Sequence, residues 1–348
     1  MKKAFQPCTV RKLTLPGHSG ICLLLLLFLP LLSACASVSG GVLDPQGPEA
    51  QRVAYLSWLM FGVAAVVFTV VTVLLLLTAV RTRRQSSVEY SPESDHRALN
   101  GVIVGGVVIP AVVLLIIMGL SIAVQQISAA PASGDLTVEI VGHQWWWEVH
   151  YPDYGVTTAN EIHIPAGRPV LIKLTSADVI HSFWAPQLHS KLDLIPGQTN
   201  SFVLQADNAG VYRGQCAEFC GLQHAHMVFL VVADKTDDFN TWLDQQRQSA
   251  PEPDEGSFEQ EGQQAFLGSA CVYCHTIKGT NASGTLGPDL THVASRQTIG
   301  AGILPNGHGY LAGWIMNSQT VKPGNEMPPM DLDAEQLQAI LAYLDTLK

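Results

Sequence analysis

Apolar residues run without a single charge from Val53 to Val80, and again from Gly101 to Val124. Each run exceeds the roughly 20 apolar residues that a bilayer-spanning helix needs. The pattern therefore predicts a transmembrane hairpin of two helices within residues 50–128. Arg81, Arg83 and Arg84 follow the first run directly. Basic residues beside a span stay cytoplasmic, so the short connection is expected inside and both outer ends outside. Tyr55 and Trp58, near the outer end of the first span, fit an interfacial aromatic belt.

From Leu136 to about Ala233 the period changes. The segments "LTVEIVGHQWWWEVHY", "RPVLIKLTSA", "TNSFVLQA" and "MVFLVVA" alternate or run apolar at strand length, with Gly, Pro and Asn between them. Short, closely spaced strands predict a Greek-key β-sandwich or barrel, assigned here to residues 135–247. The polar, acidic, proline-bearing stretch 248–257 reads as a linker. Residues 258–348 follow a helical pattern. Asp333 and Gln336 stand at capping-box spacing, and Leu337, Ile340, Leu341 and Leu344 share one face.

The N-terminus reads as an export signal. Lys2, Lys3, Arg11 and Lys12 precede an apolar run, Ile21 to Leu32, that is short for a span. It ends in "LSAC", which resembles a bacterial lipoprotein signal: residues 1–34 are expected to be removed and Cys35 acylated. A plain signal peptide is the alternative.

Charge narrows the partners. From Gln125 to the end there are 10 Lys and Arg against 24 Asp and Glu, a net −14. That excludes nucleic acid as a partner and could steer a basic protein towards this part, although solubility alone would also explain it. The chain carries seven cysteines. Cys8 and Cys22 lie in the signal, Cys35 at its end, and the other four form two close pairs. No thiol is left over for a structural disulfide, so the pairs read as cofactor ligands or attachment points.

The second pair stands in "CVYCH", Cys271 to His275, the C-x-x-C-H signal for covalent c-type haem. Two thiols one turn apart add to the two vinyl groups, and His275 faces the iron. No further cysteine pair follows this one, which argues against zinc. A methionine is expected as the other axial ligand, which raises the reduction potential. "KPGNEMPPM" offers Met327 and Met330. Met327 is favoured because it directly precedes Pro328 in a loop that resembles the ligand loop of class I cytochromes c.

The first pair stands in "CAEFCGLQHAHM", residues 216–227. Thiolate, imidazole and thioether together select copper. A mononuclear blue-copper site needs one cysteine, and here there are two. Two thiolates can bridge two copper ions, each keeping an imidazole and a weak axial ligand. The loop supplies Cys216, Cys220, His224 and Met227, with the Glu218 carbonyl as a further oxygen. "ADVIHSFWAP" adds His181.

With "VIHSFW" and "GHQWWW" upstream, this motif resembles subunit II of the haem-copper cytochrome c oxidases and its dinuclear CuA centre. The likeness covers about residues 50–235. The C-terminal domain is similar to the cytochrome extension of the caa-type oxidases. The resemblance implies a cupredoxin-like sandwich and an all-α class I cytochrome c domain. It implies His181, Cys216, Cys220, His224 and Met227 as copper ligands through side chains, and Glu218 through its carbonyl. The Glu218 side chain would also reach a magnesium shared with subunit I. His226 matches no family ligand and is expected beside the site or on the surface. Trp145 would be the residue at which electrons enter; Trp146 and Trp147 could equally be packing. "HSKLDLIPGQ" matches a subunit I contact, with structural roles expected for Lys191 and Asp193.

The implied function is that of subunit II of a proton-translocating, oxygen-reducing respiratory oxidase in a bacterial cytoplasmic membrane. The copper and haem domains would lie outside. Its partners would be subunit I, subunit III and a soluble donor such as a c-type cytochrome. One departure matters: family members often carry a glutamate near the start of the second span, at the mouth of a proton path. Here Glu93 and Asp95 are the nearest acids, just before the span. Three other classes share parts of the pattern. A quinol oxidase subunit would lack the copper ligands, nitrous oxide reductase needs a further histidine-rich copper domain, and the hairpin disfavours a mobile copper or electron carrier.

Overall fold

The computed structural model describes residues 40–84, 92–128 and 136–348. The expected signal, Cys35 and the connection 85–91 lie outside the described residues. Gly40–Lys348 forms one compact unit.

The first apolar run lies in helix α1 (Pro48–Arg84). The second belongs to α2 (Pro92–Ile103), a five-residue π-turn (Val104–Val108) and α3 (Ile109–Ser128). Pro110 explains the π-turn. It has no N–H to return to Gly106, and the Ile109 N–H bonds to the Val104 carbonyl, five residues back. Both spans are long and apolar enough to cross a membrane, and their apolar windows are unburied within the chain. Such surface needs lipid or other subunits to cover it.

Ten strands build the sandwich. One sheet has the order β3 (Val156–Ala159), β2 (Trp146–Tyr151), β1 (Thr137–His143), β5 (Val170–Ser176), β8 (Asn200–Leu204). The other runs β4 (Glu161–Pro165), β10 (Val228–Asp234), β9 (Gly210–Cys216), β6 (His181–Trp184), β7 (Leu192–Leu194). Alternate residues of β1 and β2 point inward, so Val138, Ile140, Trp147 and Val149 are fully buried between the sheets. Trp147 packs edge-on against Phe229, ring centroids 5.1 Å apart, and against Phe183 at 6.2 Å.

Helix α4 (Thr236–Gln246) closes the sandwich by stacking Trp242 on His163. The expected linker is anchored at its start: the Ala250 N–H donates to the Lys278 carbonyl at 2.9 Å. His292 Nε2 lies 3.2 Å from the Gln248 carbonyl. The C-terminal region holds α5 (Phe258–Leu267), α6 (His308–Asn317) and α7 (Ala334–Thr346). Asp333 caps α7 in a capping box with Gln336, and Ile340, Leu341 and Leu344 enter a core with Phe266 and Ile315.

Candidate metal and haem centres

Strand pairing brings the copper candidates together. Strands β9 and β10 are antiparallel, and the Cys216 N–H donates to the Met227 carbonyl at 2.9 Å. The loop between them therefore starts and ends at one point, with Cys216 and Met227 as its closing pair. Strand β6 lies beside β9 with Phe183 opposite Cys216, which places His181 at the same end of the sheet. The close approach also requires Gly142: a Cβ there would stand 2.7 Å from the His181 ring.

The donor atoms converge. Cys216 Sγ and Cys220 Sγ are 3.8 Å apart, and Cys220 Sγ is 3.6 Å from His224 Nδ1 and 3.8 Å from Met227 Sδ. Cys216 Sγ is 4.0 Å from His181 Nδ1 and 3.2 Å from the Glu218 carbonyl. His181, Cys216 and Cys220 are all buried. Contact between the sulfurs pulls the Cys216 thiol down, while the same contact and burial push Cys220 up. Two sulfurs flanked by separate imidazoles, a thioether and a carbonyl suit two soft ions better than one.

Asp178 completes the site and was not singled out from the sequence. Its Oδ1 accepts from His181 Nε2 at 2.7 Å, which leaves Nδ1 as the free lone pair facing the sulfurs. The signal was present in "ADVIH", a carboxylate three residues before a ligand histidine, but short polar residues in loops are usually turn formers.

The Glu218 side chain points elsewhere, pairing with Lys191 at 3.3 Å. Lys191 also reaches Asp193 at 4.0 Å. His226 Nδ1 lies 2.6 Å from Gln223 Oε1, outside the donor cluster. The three tryptophans divide clearly. Trp147 is core; Trp146 stacks on His143 with centroids 4.4 Å apart. Trp145 is buried, and its indole N–H donates to the Cys220 carbonyl at 3.0 Å.

Trp145 also lines a cavity of about 380 Å³ in the C-terminal region, together with Cys271, Cys274, His275, Met327 and Met330. His275 Nδ1 lies 2.7 Å from the Pro288 carbonyl, which fixes that nitrogen as the donor and leaves Nε2 for a ligand. Burial lowers the His275 pKa, which favours the neutral ring. Gly287 packs so closely on this ring that a Cβ would stand 2.7 Å away. The Met327 backbone is held by Asn325, Ser318 and Gln319. Arg296 lines the same cavity, and its buried Nε has no hydrogen-bond partner among the described residues. A planar apolar group with an anionic edge fits this chemistry, as a haem with its propionates does.

Comparison with known proteins finds a family match in each of the two regions. The family described as "Cytochrome C oxidase subunit II, periplasmic domain" matches residues 155–234, and "Cytochrome c" matches residues 259–348. The chain is similar to cytochrome c oxidase subunit 2 of Alkalihalophilus pseudofirmus, 36% identical over 88% of this chain and 90% of that one. Cytochrome c oxidase subunit 2 of Bacillus subtilis is 30% identical over 95% of this chain and 98% of its own length. A crystal structure of the periplasmic domain of subunit II of cytochrome oxidase from Bradyrhizobium japonicum is 30% identical. It covers 33% of this chain and 96% of that one, with a TM-score of 0.33. The chain is a membrane-anchored electron-transfer subunit with a copper domain and a haem domain, and it belongs to the cytochrome c oxidase subunit 2 family.

Proposed function

We propose that this chain relays electrons from a soluble donor such as a c-type cytochrome, by way of its haem domain and then its copper domain, to the oxygen-reducing site of subunit I. A dinuclear CuA centre and one covalent haem c, when bound, each take up and release one electron without making or breaking substrate bonds.

The residues supply position and tuning. Cys216, Cys220, His181, His224, Met227 and the Glu218 carbonyl would hold the coppers, with thiolates and imidazoles as the strong donors and the thioether and carbonyl as the weak ones. Asp178 holds the proton on His181 Nε2. Cys271 and Cys274 would attach the haem, His275 and Met327 would ligate its iron, and Trp145 is the residue at which electrons would enter the copper domain. The Glu218 side chain, paired with Lys191 here, would help hold a magnesium shared with subunit I, and subunit III would complete the complex. Both soluble domains lie on the periplasmic or extracytoplasmic side, a placement that the arginines after the first span support.

The observation that supports this reading best is the position of Trp145. Its indole bonds to the backbone of a copper-loop cysteine and its ring lines the haem cavity. The test is metal analysis with paramagnetic resonance on the purified oxidase. We expect two coppers per chain with a mixed-valence signal, and Cys216→Ser abolishes both that signal and oxygen uptake. One copper per chain, or a variant with unchanged signal and turnover, overturns the assignment.

A further inference from the structure

Lys322 is only 3% exposed. Its Nζ donates to the carbonyl oxygens of Trp145 at 2.6 Å, His226 at 2.7 Å and Gly300 at 3.0 Å. An ammonium has three donors and no acceptor, so these oxygens satisfy it fully. Two of them belong to the copper domain. His226 sits between His224 and Met227, and Trp145 carries the indole bonded to Cys220. On the haem side, Lys322 begins the segment that leads through Gly324 to Met327.

Neighbouring contacts follow the same line. Gln223 Nε2, also inside the copper loop, donates to the Pro323 carbonyl at 2.7 Å. The Val228 N–H donates to the Ala301 carbonyl at 3.0 Å. Glu161 Oε1 accepts from the N–H groups of Gln297 at 2.6 Å and Thr298 at 3.1 Å. Gly324 lies against the Trp145 ring and Leu222. The two ligand-bearing loops are thus bonded directly to one another.

A buried lysine is costly, and an apolar side chain would cover the same surface. What apolar packing lacks is direction: three aimed hydrogen bonds accept one register and penalise its neighbours.

We propose that Lys322 is the positioning residue for haem-to-copper electron transfer. Through its three carbonyl partners it fixes the Met327 loop against the Trp145 turn and the Cys216–Met227 loop in a single docked arrangement. This role rests on the cofactor assignments made above.

The test compares the complete wild-type oxidase with Lys322→Met, an uncharged side chain of similar length. Haem and copper spectra come first: a wild type without either signature overturns the assignments and this role together. With both signatures and both midpoint potentials unchanged in Lys322→Met, amide exchange over residues 318–327 should rise. The haem-to-copper rate after rapid one-electron reduction of the haem should fall by about tenfold, as the docked population falls. The remaining transfer should slow further in viscous buffer, because redocking then gates it, whereas the wild-type rate should not. Wild-type exchange and rate in Lys322→Met overturn the proposal. Should that variant fail to assemble, Gln223→Ala removes the loop-to-loop bond to Pro323 together with the Gln223–His226 bond inside the copper loop, and is compared at unchanged copper spectrum. It should raise exchange over 318–327 and slow transfer about twofold; no change in either overturns the proposal.

Discussion

Asp178 Oδ1 lies 2.7 Å from His181 Nε2, on the side of the ring opposite the two sulfurs. The carboxylate thereby decides which imidazole nitrogen can bind metal. Loss of a partner of this kind typically weakens metal affinity about 10–100-fold. Asp178→Ala should show a loss of that order in copper competition against a chelator, with haem content unchanged. Asp178→Asn, which can still accept the bond, should lose less. Copper retention equal to wild type in Asp178→Ala would show that the ring is oriented by packing alone.

Glu218 presents two different groups in two directions. Its carbonyl faces Cys216 at 3.2 Å, whereas its side chain is 44% exposed on Lys191. An ion pair this exposed contributes at most about 1 kcal/mol. Glu218→Gln should therefore leave stability and copper content near wild type and reduce the magnesium content of the assembled oxidase. Loss of copper would mean that the side chain, not the backbone, serves the thiolate site.

Both Met327 and Met330 line the haem cavity. Replacing a thioether axial ligand removes its upward effect on the potential. Met327→Leu should lose the methionine–iron absorption signature and shift the haem potential, while Met330→Leu should keep both. The reverse pattern would move the axial assignment to Met330.

Glu148 stands between His143 at 3.1 Å and His150 at 3.4 Å. Burial raises its carboxyl, but the bonds and charges of the two histidines outweigh that and bring it down to about 2 from the ordinary 4.5. His150 moves the other way, raised from 6.5 chiefly by its bond to Glu148. A lowered carboxylate stabilises the fold fully above 4.5 and loses that contribution as pH falls towards 2. A raised imidazole contributes fully below 6.5 and loses its share as pH rises through its folded value. The thermal stability of wild type minus Glu148→Gln should therefore be greatest between about pH 4.5 and 6.5 and shrink on both sides. A difference independent of pH would mean that the trio is held by packing.

The parts legible in the sequence were those with local periodicity or fixed spacing. Uncharged runs marked the spans, alternation marked β1, β5, β8 and β10, and Asp333 with Gln336 marked the start of α7. The copper loop was legible because β9, the loop and β10 are contiguous, so all but one of its side-chain donors fall within twelve residues. Strands β3, β6 and β7 have only three or four residues each, too few for a period to show. Lys322, Gln223 and Glu161 could not be found that way. Each binds backbone groups about a hundred or more positions distant in sequence, and a backbone acceptor leaves no residue-type signature. The stretch 248–257 has the composition of a free tether, yet Gln248 and Ala250 are bonded to the haem region.

Covalent connection makes the encounter intramolecular, and that anchoring shortens the free tether. A cytochrome arriving from solution must find its acceptor by diffusion, at a frequency that falls with dilution and varies with ionic strength. With the start of the tether fastened at Gln248 and Ala250, the haem region cannot drift far from the sandwich. Recapture after any undocking becomes a first-order event, governed by a local effective concentration rather than by how much protein the cell contains.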